Sequence, residues 1–598
     1  MVKVNFSLLT AGFIVSTLLG LTTSSGSAQE LHPNILKQLK AFAREKASRT
    51  HAQKKMSSRL VYEVKARRGD PQMKELSSIR SSVRVAADET VLVDIKARVN
   101  RDLLVEIEQA GGDIINAYEE YGSIRAKLPL YVMEKLAENN DIQSIRPAVK
   151  AVLRKVNTSE GDAAHSGPAA RNKYNLTGKG VKVGVISDSV DHLAAVQASG
   201  DLPSVTVLED APGNSGEGTA MLEIVHDLAP DAQLYFATAW NGPSGFANNI
   251  KALANVGCQV IVDDVGYLNE SPFQDDIISQ AVNTVTADGV LYFAAAGNSG
   301  NFNDGTSGVW EGNYSAMGSV LSDPEYTSVH NYGGGDWANR ITSPTSSCYT
   351  LFWTDPLARS SNDYDFFLVN PAQTDIVDGS ADYQDGTADP IEGFCPDFDS
   401  TGYHLLVARY GTGLPRFLHI SANRGQLEHR TAGQIVGHPA ATDAFGVSAV
   451  SARNRTIPFI GNESVETFTT DGPRRVFFNP DGSAITPGNY LASGGMVRRK
   501  PDISAADGVK TATPGFTPFY GTSAAAPHAA AIGALMLSGR SSLTVDEARQ
   551  TFIDTAYDIE APGWDRDSGY GLIMADKVLD ALAPFGINPG ILYPLLMR

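Results

Sequence analysis

"GKGVKVGVISDS", residues 178–189, is the stretch that decides the fold. Glycines bound a short apolar run that stops at polar residues. Such a run reads as a strand buried on both faces. The pattern returns at "AQLYFATA" (232–239), "CQVIVDDVG" (258–266) and "GVLYFAAAGNSG" (289–300). Helical segments, "FANNIKALANVG" (246–257) and "DIISQAVNTVTADG" (276–289), separate the runs. Strand and helix alternating at this spacing predict an α/β fold, with a parallel sheet covered by helices on both faces. Functional residues of such a sheet gather beyond the carboxyl ends of its strands.

Working outward, the texture changes on both sides. Residues 305–435 hold short alternating strands, among them "YTLFWTD" (349–355), "DYDFFLVN" (363–370) and "YHLLVARYG" (403–411), which predict an inserted antiparallel β-sandwich. The α/β texture resumes at "ATDAFGVSAVSA" (441–452) and runs to residue 585, leaving a tail at 586–598. Upstream, residues 91–160 read as a small α+β unit. "VLVDIKA" (91–97) is a strand, "RDLLVEIEQAGG" (101–112) a helix with a glycine stop, "GSIRAKLP" (122–129) a strand, "YVMEKLAENN" (131–140) a helix and "IQSIRPAVKAVLR" (142–154) a closing strand. Residues 29–90 read as a basic helical leader.

The first 28 residues carry Lys3, the apolar run "LLTAGFIVSTLLGL" (8–21) and a small-residue site ending at Ala28, the layout of a secretory signal peptide. A membrane anchor is the other reading, but the run is short for a span and is interrupted by Ser and Thr. No second candidate span follows. The chain has 598 residues, 42% hydrophobic and 19% charged, with a net charge of −18. That is ordinary globular composition, long enough for several domains. Residues 29–80 alone hold 13 Lys/Arg and 5 Asp/Glu. A basic leader on an acidic body suits docking on its own chain; no aromatic-interleaved basic patch supports nucleic-acid binding. Three cysteines make no disulfide framework. Cys348 and Cys395 could pair, and Cys258 reads as a buried thiol.

The chemistry is concentrated in "FYGTSAAAPHAAAIGALML" (519–537). It places Ser523 at the start of a small-residue helix, where unpaired backbone N–H groups can stabilise an oxyanion after serine attacks a carbonyl. Pro527 sits in the first turn, where its missing N–H costs little. Here the chain resembles the subtilisin-like serine peptidases, over residues 165–304 and 436–585. "VGVISDS" resembles the strand delivering that family's catalytic aspartate, which implies Asp188. "GVLYFAAAGNSG" resembles the segment with the oxyanion-hole asparagine, which implies Asn298. "GTSAAAPH" resembles the nucleophile motif, which implies Ser523. "KPDISAADGVKTATPG" (500–515) and "SGYGLIMADKVLDAL" (568–582) resemble flanking and closing segments, and residues 91–160 resemble the ferredoxin-like inhibitory propeptide.

The departure lies in "GEGTAMLEIVHDLAPDAQL" (216–234): Glu217-Gly218-Thr219 stands where the family carries His-Gly-Thr. The sedolisins, acid-acting relatives, use a glutamate base here. They usually add an aspartate one turn on, where this chain has Met221, and an aspartate at the oxyanion position, where this chain has Asn298. The resemblance implies a hybrid: Ser523 as nucleophile, Glu217 as base, Asp188 orienting it, Asn298 on the oxyanion. A glutamate titrates near about 4.3, well below histidine. Two close carboxylates, Glu217 and Asp188, would share one proton. Asp264 falls on the substrate-binding strand and is a third acid, accessory or substrate-facing. The expectation is peptide hydrolysis at acidic pH with a falling limb as the shared proton is lost.

The other histidines offer little as bases. His226, nine residues beyond Glu217, faces the far side of that helix; His192 follows Asp188 without fixed direction; His528 belongs to the nucleophile helix. "APGWDRDSGYG" (561–571) offers Asp565 and Asp567 as oxygen ligands for structural calcium, although most Asp-rich turns are only turns. The chemistry itself requires no cofactor. Expected partners are protein or peptide substrates and the chain's own prosegment. Two other functions stay open: the same fold used for binding with a dead site, and an esterase or amidase on the same serine.

Overall fold

The computed structural model describes residues 31–76, 83–149, 151–152, 160–317, 325–343 and 348–583. The expected signal peptide and the tail lie outside the described residues.

The strands read from the sequence form one seven-stranded, wholly parallel sheet. Its order is Ile503–Asp507, Phe445–Ser451, Leu291–Ala295, Val260–Asp263, Lys182–Ser187, Gln233–Thr238 and Val205–Glu209. The strand opened by "KVGVIS" is near the middle, and Val183, Val185 and Ile186 are fully buried. The last strand, Val205–Glu209, was not read from the sequence. It is an edge strand whose middle residues are exposed, so it lacks the apolar run that marks the others.

The helix Thr522–Gly539 is buried over almost its whole length. It lies against five strands of the sheet and the Glu217–Leu228 and Ala575–Leu582 helices. A helix enclosed on all sides cannot be amphipathic. Its alanines and glycine let it approach closely; a Cβ added at Gly533 would stand 3.0 Å from the Phe293 ring.

Residues 90–147 fold as a four-stranded antiparallel sheet in the order Asp113–Tyr118, Ser123–Pro129, Thr90–Ala97, Ile142–Pro147. The helix Arg101–Gln109 packs its Leu103 and Ile107 into the same core as Val93, Ile95 and Ile124. Between Leu291–Ala295 and Phe445–Ser451 the chain builds two antiparallel sheets. One runs Val309–Asn313, Phe417–Ser421, Tyr349–Trp353, Ile391–Phe394; the other has Ile376–Ser380 at one edge, followed by Asp363–Val369 and His404–Tyr410. Leu351, Trp353, Phe366, Leu405 and Leu418 share the core between them. A Cys348–Cys395 disulfide joins two of these segments, and Cys258 is a buried free thiol.

The basic leader docks on the insert as well as on residues 90–147. Ile35, Leu39 and Phe42 of the helix Pro33–Ala47 are buried with Tyr326, Phe367 and Leu406 of the insert. The helix Ser58–Arg67 gives Leu60 and Val61 to the core of residues 90–147 and Tyr62 to the insert side.

Candidate active site

The site is assembled at the carboxyl edge of the parallel sheet. Asp188 follows the strand Lys182–Ser187, Asp264 follows Val260–Asp263, and Asn298 lies three residues past Leu291–Ala295. Ser523 and Glu217 open the helices Thr522–Gly539 and Glu217–Leu228, which pack together. Asp188, Glu217, Asp264 and Ser523 are all fully buried.

Glu217 is set by the glycines on either side. Gly216 has φ +76°, the left-handed region that favours glycine, and a Cβ there would meet the Asp191 carbonyl oxygen at 2.6 Å. A Cβ at Gly218 would lie 2.4 Å from the Phe236 ring and 2.7 Å from the Ser189 carbonyl. The helix start is thereby pressed onto the end of the Asp188 strand.

Asp188 holds that helix start through the backbone. Its carboxylate accepts from the N–H of Ser189 (2.5 Å), Ser215 (2.6 Å) and Glu217 (3.0 Å), and from the Ser215 hydroxyl (2.7 Å). Asp188 therefore holds Glu217 by its main-chain N–H. The group suited to proton sharing is Asp264, beside Ser187, Asp188, Asp263 and Glu217. Burial pushes its carboxyl up to about 7; the charges of Asp188 and Asp263 add to the rise, against hydrogen bonding with Ser187 and Glu217.

The asparagine is aimed by the nucleophile loop. Its Oδ1 accepts from the Thr522 N–H (2.9 Å) and the Thr522 hydroxyl (3.0 Å), and the Gly297 N–H donates to that hydroxyl oxygen at 3.0 Å. These bonds fix the Asn298 side chain against the start of the Thr522–Gly539 helix. Asp507 accepts from the Gly521 N–H at 2.8 Å and ties the nucleophile turn to the strand Ile503–Asp507. A cleft beside Asn298 is walled by Gly266 and Tyr267 on one side and by Phe352, His419 and Arg424 of the insert on the other. The segment Ala151–Val152 pairs antiparallel with Gly266–Tyr267, in the register Gly266↔Val152 and Tyr267↔Ala151.

Two contributors were missed in the sequence. Arg424 stands near Glu217: burial in the cleft lowers its guanidinium pKa, and the Glu217 charge opposes that. His438 is fully buried between Asp263 (2.9 Å) and Glu270 (2.7 Å). Burial alone would lower its pKa, but the two carboxylates raise it to about 10, so it is an imidazolium bracing the end of the Asp264 strand. Neither has a local sequence signal; both arrive by long-range packing. Of the histidines weighed from the sequence, His226 lies in the last turn of the Glu217 helix, His192 is exposed, and His528 bonds the Ala524 carbonyl at 2.7 Å. Burial lowers His528 to about 3.

The calcium candidates close a turn. Asp565 accepts from the N–H groups of Asp567 and Ser568, both at 2.8 Å, and from the Ser568 hydroxyl at 2.5 Å. Asp567 accepts from Asn303 at the loop after Asn298. Among the described residues no group of three His, Cys, Asp or Glu side chains converges as a metal site, and no helix is long and apolar enough to cross a membrane.

The sequence pattern of the Subtilase family matches residues 206–571, more than half of the chain, and takes in Glu217, Asn298 and Ser523. The chain belongs to the subtilase family. Asp188 lies upstream of the matched residues. This subtilase is 25% identical over 254 residues to an alkaline protease of Alkalihalobacillus alcalophilus, covering 39% of this chain and 63% of that protein. It is 25% identical over 255 residues to the M-protease of Shouchella clausii, covering 40% of this chain and 66% of that one. The chain thus spans just under two thirds of the length of these relatives. Among solved structures it is similar to the CspB protease of Clostridium perfringens, with a TM-score of 0.48, 16% identity and coverage of 71% of this chain and 99% of that one.

Proposed function

We propose that this subtilase is a serine endopeptidase acting through a Ser-Glu-Asp site on the acidic side of neutrality. The observation that carries the reading is the clamp of Asn298 Oδ1 on Thr522, which fixes the asparagine at the helix start that carries Ser523. An oxyanion donor aimed next to a buried helix-start serine is the arrangement that acyl transfer needs.

In this reading Ser523 attacks the peptide carbonyl and its proton passes to Glu217. The oxyanion is held by Asn298 and by the N–H groups at the start of the Thr522–Gly539 helix. Glu217 then gives the proton to the leaving amine, and water repeats the cycle on the acyl-enzyme. A protonated Asp264 removes a like charge from beside Glu217 and can bond to it. The working form is the Asp264–Glu217 pair with one proton. That form is lost as pH rises through about 7, where Asp264 ionises, and again in acid, as the pair takes a second proton.

Residues 29–160 act as a prosegment. Support comes from the pairing of Ala151–Val152 with Gly266–Tyr267, a strand addition at the wall of the cleft. Action outside the cytoplasm is supported by the apolar N-terminus and by the Cys348–Cys395 disulfide.

The test is cleavage of denatured casein from pH 3 to 9 by the purified protein and by Ser523→Ala. Serine-dependent cleavage, strongest below pH 7, is expected. A neutral-to-alkaline optimum would remove Glu217 from the role of base. No cleavage after confirmed prosegment removal would overturn the peptidase reading.

A further inference from the structure

The insert carries a second built site, far in sequence from the catalytic edge, and the leader fills it. Lys46, in the last turn of the helix Pro33–Ala47, has no exposed surface. Its ammonium donates to Asp363 and to Asp365, each at 2.8 Å. These carboxylates are two residues apart on one strand and therefore share a face. The Tyr410 ring lies 4.6 Å from the ammonium, and the Tyr326 hydroxyl donates to Asp365. Two carboxylates and an aromatic face form a socket for a primary ammonium.

A backbone match surrounds the socket. The Gln38 side-chain amide donates to the Ile376 carbonyl at 3.1 Å, and its oxygen accepts from the Ile376 N–H at 3.0 Å, so one side chain occupies both main-chain groups of an edge strand. Asp382 accepts from the Ser58 N–H, and Arg49 donates to the Ala381 carbonyl at 3.1 Å. Charge is complementary over the whole contact: residues 305–435 hold 16 Asp/Glu and 6 Lys/Arg, opposite to the leader.

A buried ion pair adds little net stability over an apolar pair of the same shape, but it punishes the wrong partner heavily. Such a socket selects its ligand. We propose that the inserted sandwich is the receptor for the leader: the Asp363–Asp365–Tyr410 socket takes Lys46 and keeps the N-terminal segment on the enzyme after the chain is cut between prosegment and peptidase body. The proposal rests on the reading of residues 29–160 as a prosegment. It makes that segment bivalent, with one grip at the substrate strand and one on the insert, and a bivalent ligand leaves far more slowly than either part alone. The ligand class is an amphipathic helix bearing a lysine in its last turn.

The test uses the full chain with Ser523→Ala, to prevent self-cleavage, and a site for a sequence-specific protease inserted after Lys155. After cutting, the dissociation rate of the N-terminal fragment is followed by size exclusion. The fragment is expected to stay bound in the parent. It should leave at least about tenfold faster in Lys46→Met and in Asp363→Asn/Asp365→Asn, and at the parent rate in Lys40→Met, an exposed lysine of the same helix. Gln38→Ala removes the two bonds to Ile376 without touching the buried charges and covers the case in which the charge variants do not fold; its release should be about threefold faster, as for one hydrogen-bonded contact. Equal rates in all variants overturn the proposal. If the cut protein with Ser523 restored keeps the fragment yet digests casein freely, the receptor stands and the inhibitory reading falls.

Discussion

Two buried carboxylate clusters invite comparison. On the insert, Asp363 and Asp365 meet a lysine ammonium brought by another part of the chain. At the sheet edge, Asp188 is answered by backbone N–H groups and Asp264 by a proton. A fixed cation suits holding, even though burial raises the Asp363 carboxyl to about 7. A proton can leave and return at a cost set by pH, and that suits the proposed transfer of one from a serine to a leaving group. The same residue type, equally buried, is assigned to grip or to chemistry by what neutralises it.

The comparison breaks first at Ser523. Ser523→Ala should lower casein cleavage by more than about a thousandfold without moving the thermal midpoint; a smaller loss would mean that the sheet-edge cluster serves another reaction. Asn298→Ala should cost about 100- to 1,000-fold in kcat with little change in KM, as for loss of one oxyanion donor. Asp264→Asn sharpens the contrast. It should cost about tenfold and remove the falling limb near pH 7, because the residue that ionises there is gone. An unchanged limb would assign it to another group.

On the insert the expected change is in stability. Lys46→Met leaves two carboxylates buried without their cation and should destabilise the contact between leader and insert by about 3 kcal/mol at neutral pH. Chemical denaturation with a probe on the leader would read it. The smallest effect concerns the whole chain. Burial raises Glu223, Asp264 and Asp471 to about 7 and Asp507 to about 8. The folded state therefore binds protons that the unfolded chain has released, in the window from about pH 4 to 8. The stability tied to these groups is full below the unfolded carboxylate range and is lost as pH rises through 7 to 8. His165, His330 and His528, lowered by burial, act in the opposite sense below pH 6.5 but are fewer. Thermal unfolding should therefore occur at a higher temperature at pH 5 than at pH 8.

Much of the site was legible because local signals carried it. "VGVISDS" and "GVLYFAAAGNSG" mark strands by apolar runs ending in polar residues, and a parallel sheet puts such ends on one edge. Asp188 was located at its strand end, but its grip on main-chain N–H groups could not be foreseen, because such a carboxylate looks the same in sequence as one that faces a side chain. Arg424 and His438 reach the site across long chain separations and leave no periodic trace. The leader's basic excess showed that it would meet acid, but not that the acid lay on the insert.

The sheet has one further consequence, for assembly in time. Phe293 and Phe445 are neighbours in register, yet the whole insert lies between them in the chain. Closing that pair fixes a long loop before any contact across it can compensate, which slows folding. Asn298 sits on one side of this seam, and both the last strands and the Thr522–Gly539 helix lie beyond it. Until the insert has drawn its own ends together, only five of the seven strands can be in place and the Thr522–Gly539 helix has not reached the Glu217–Leu228 helix it packs on.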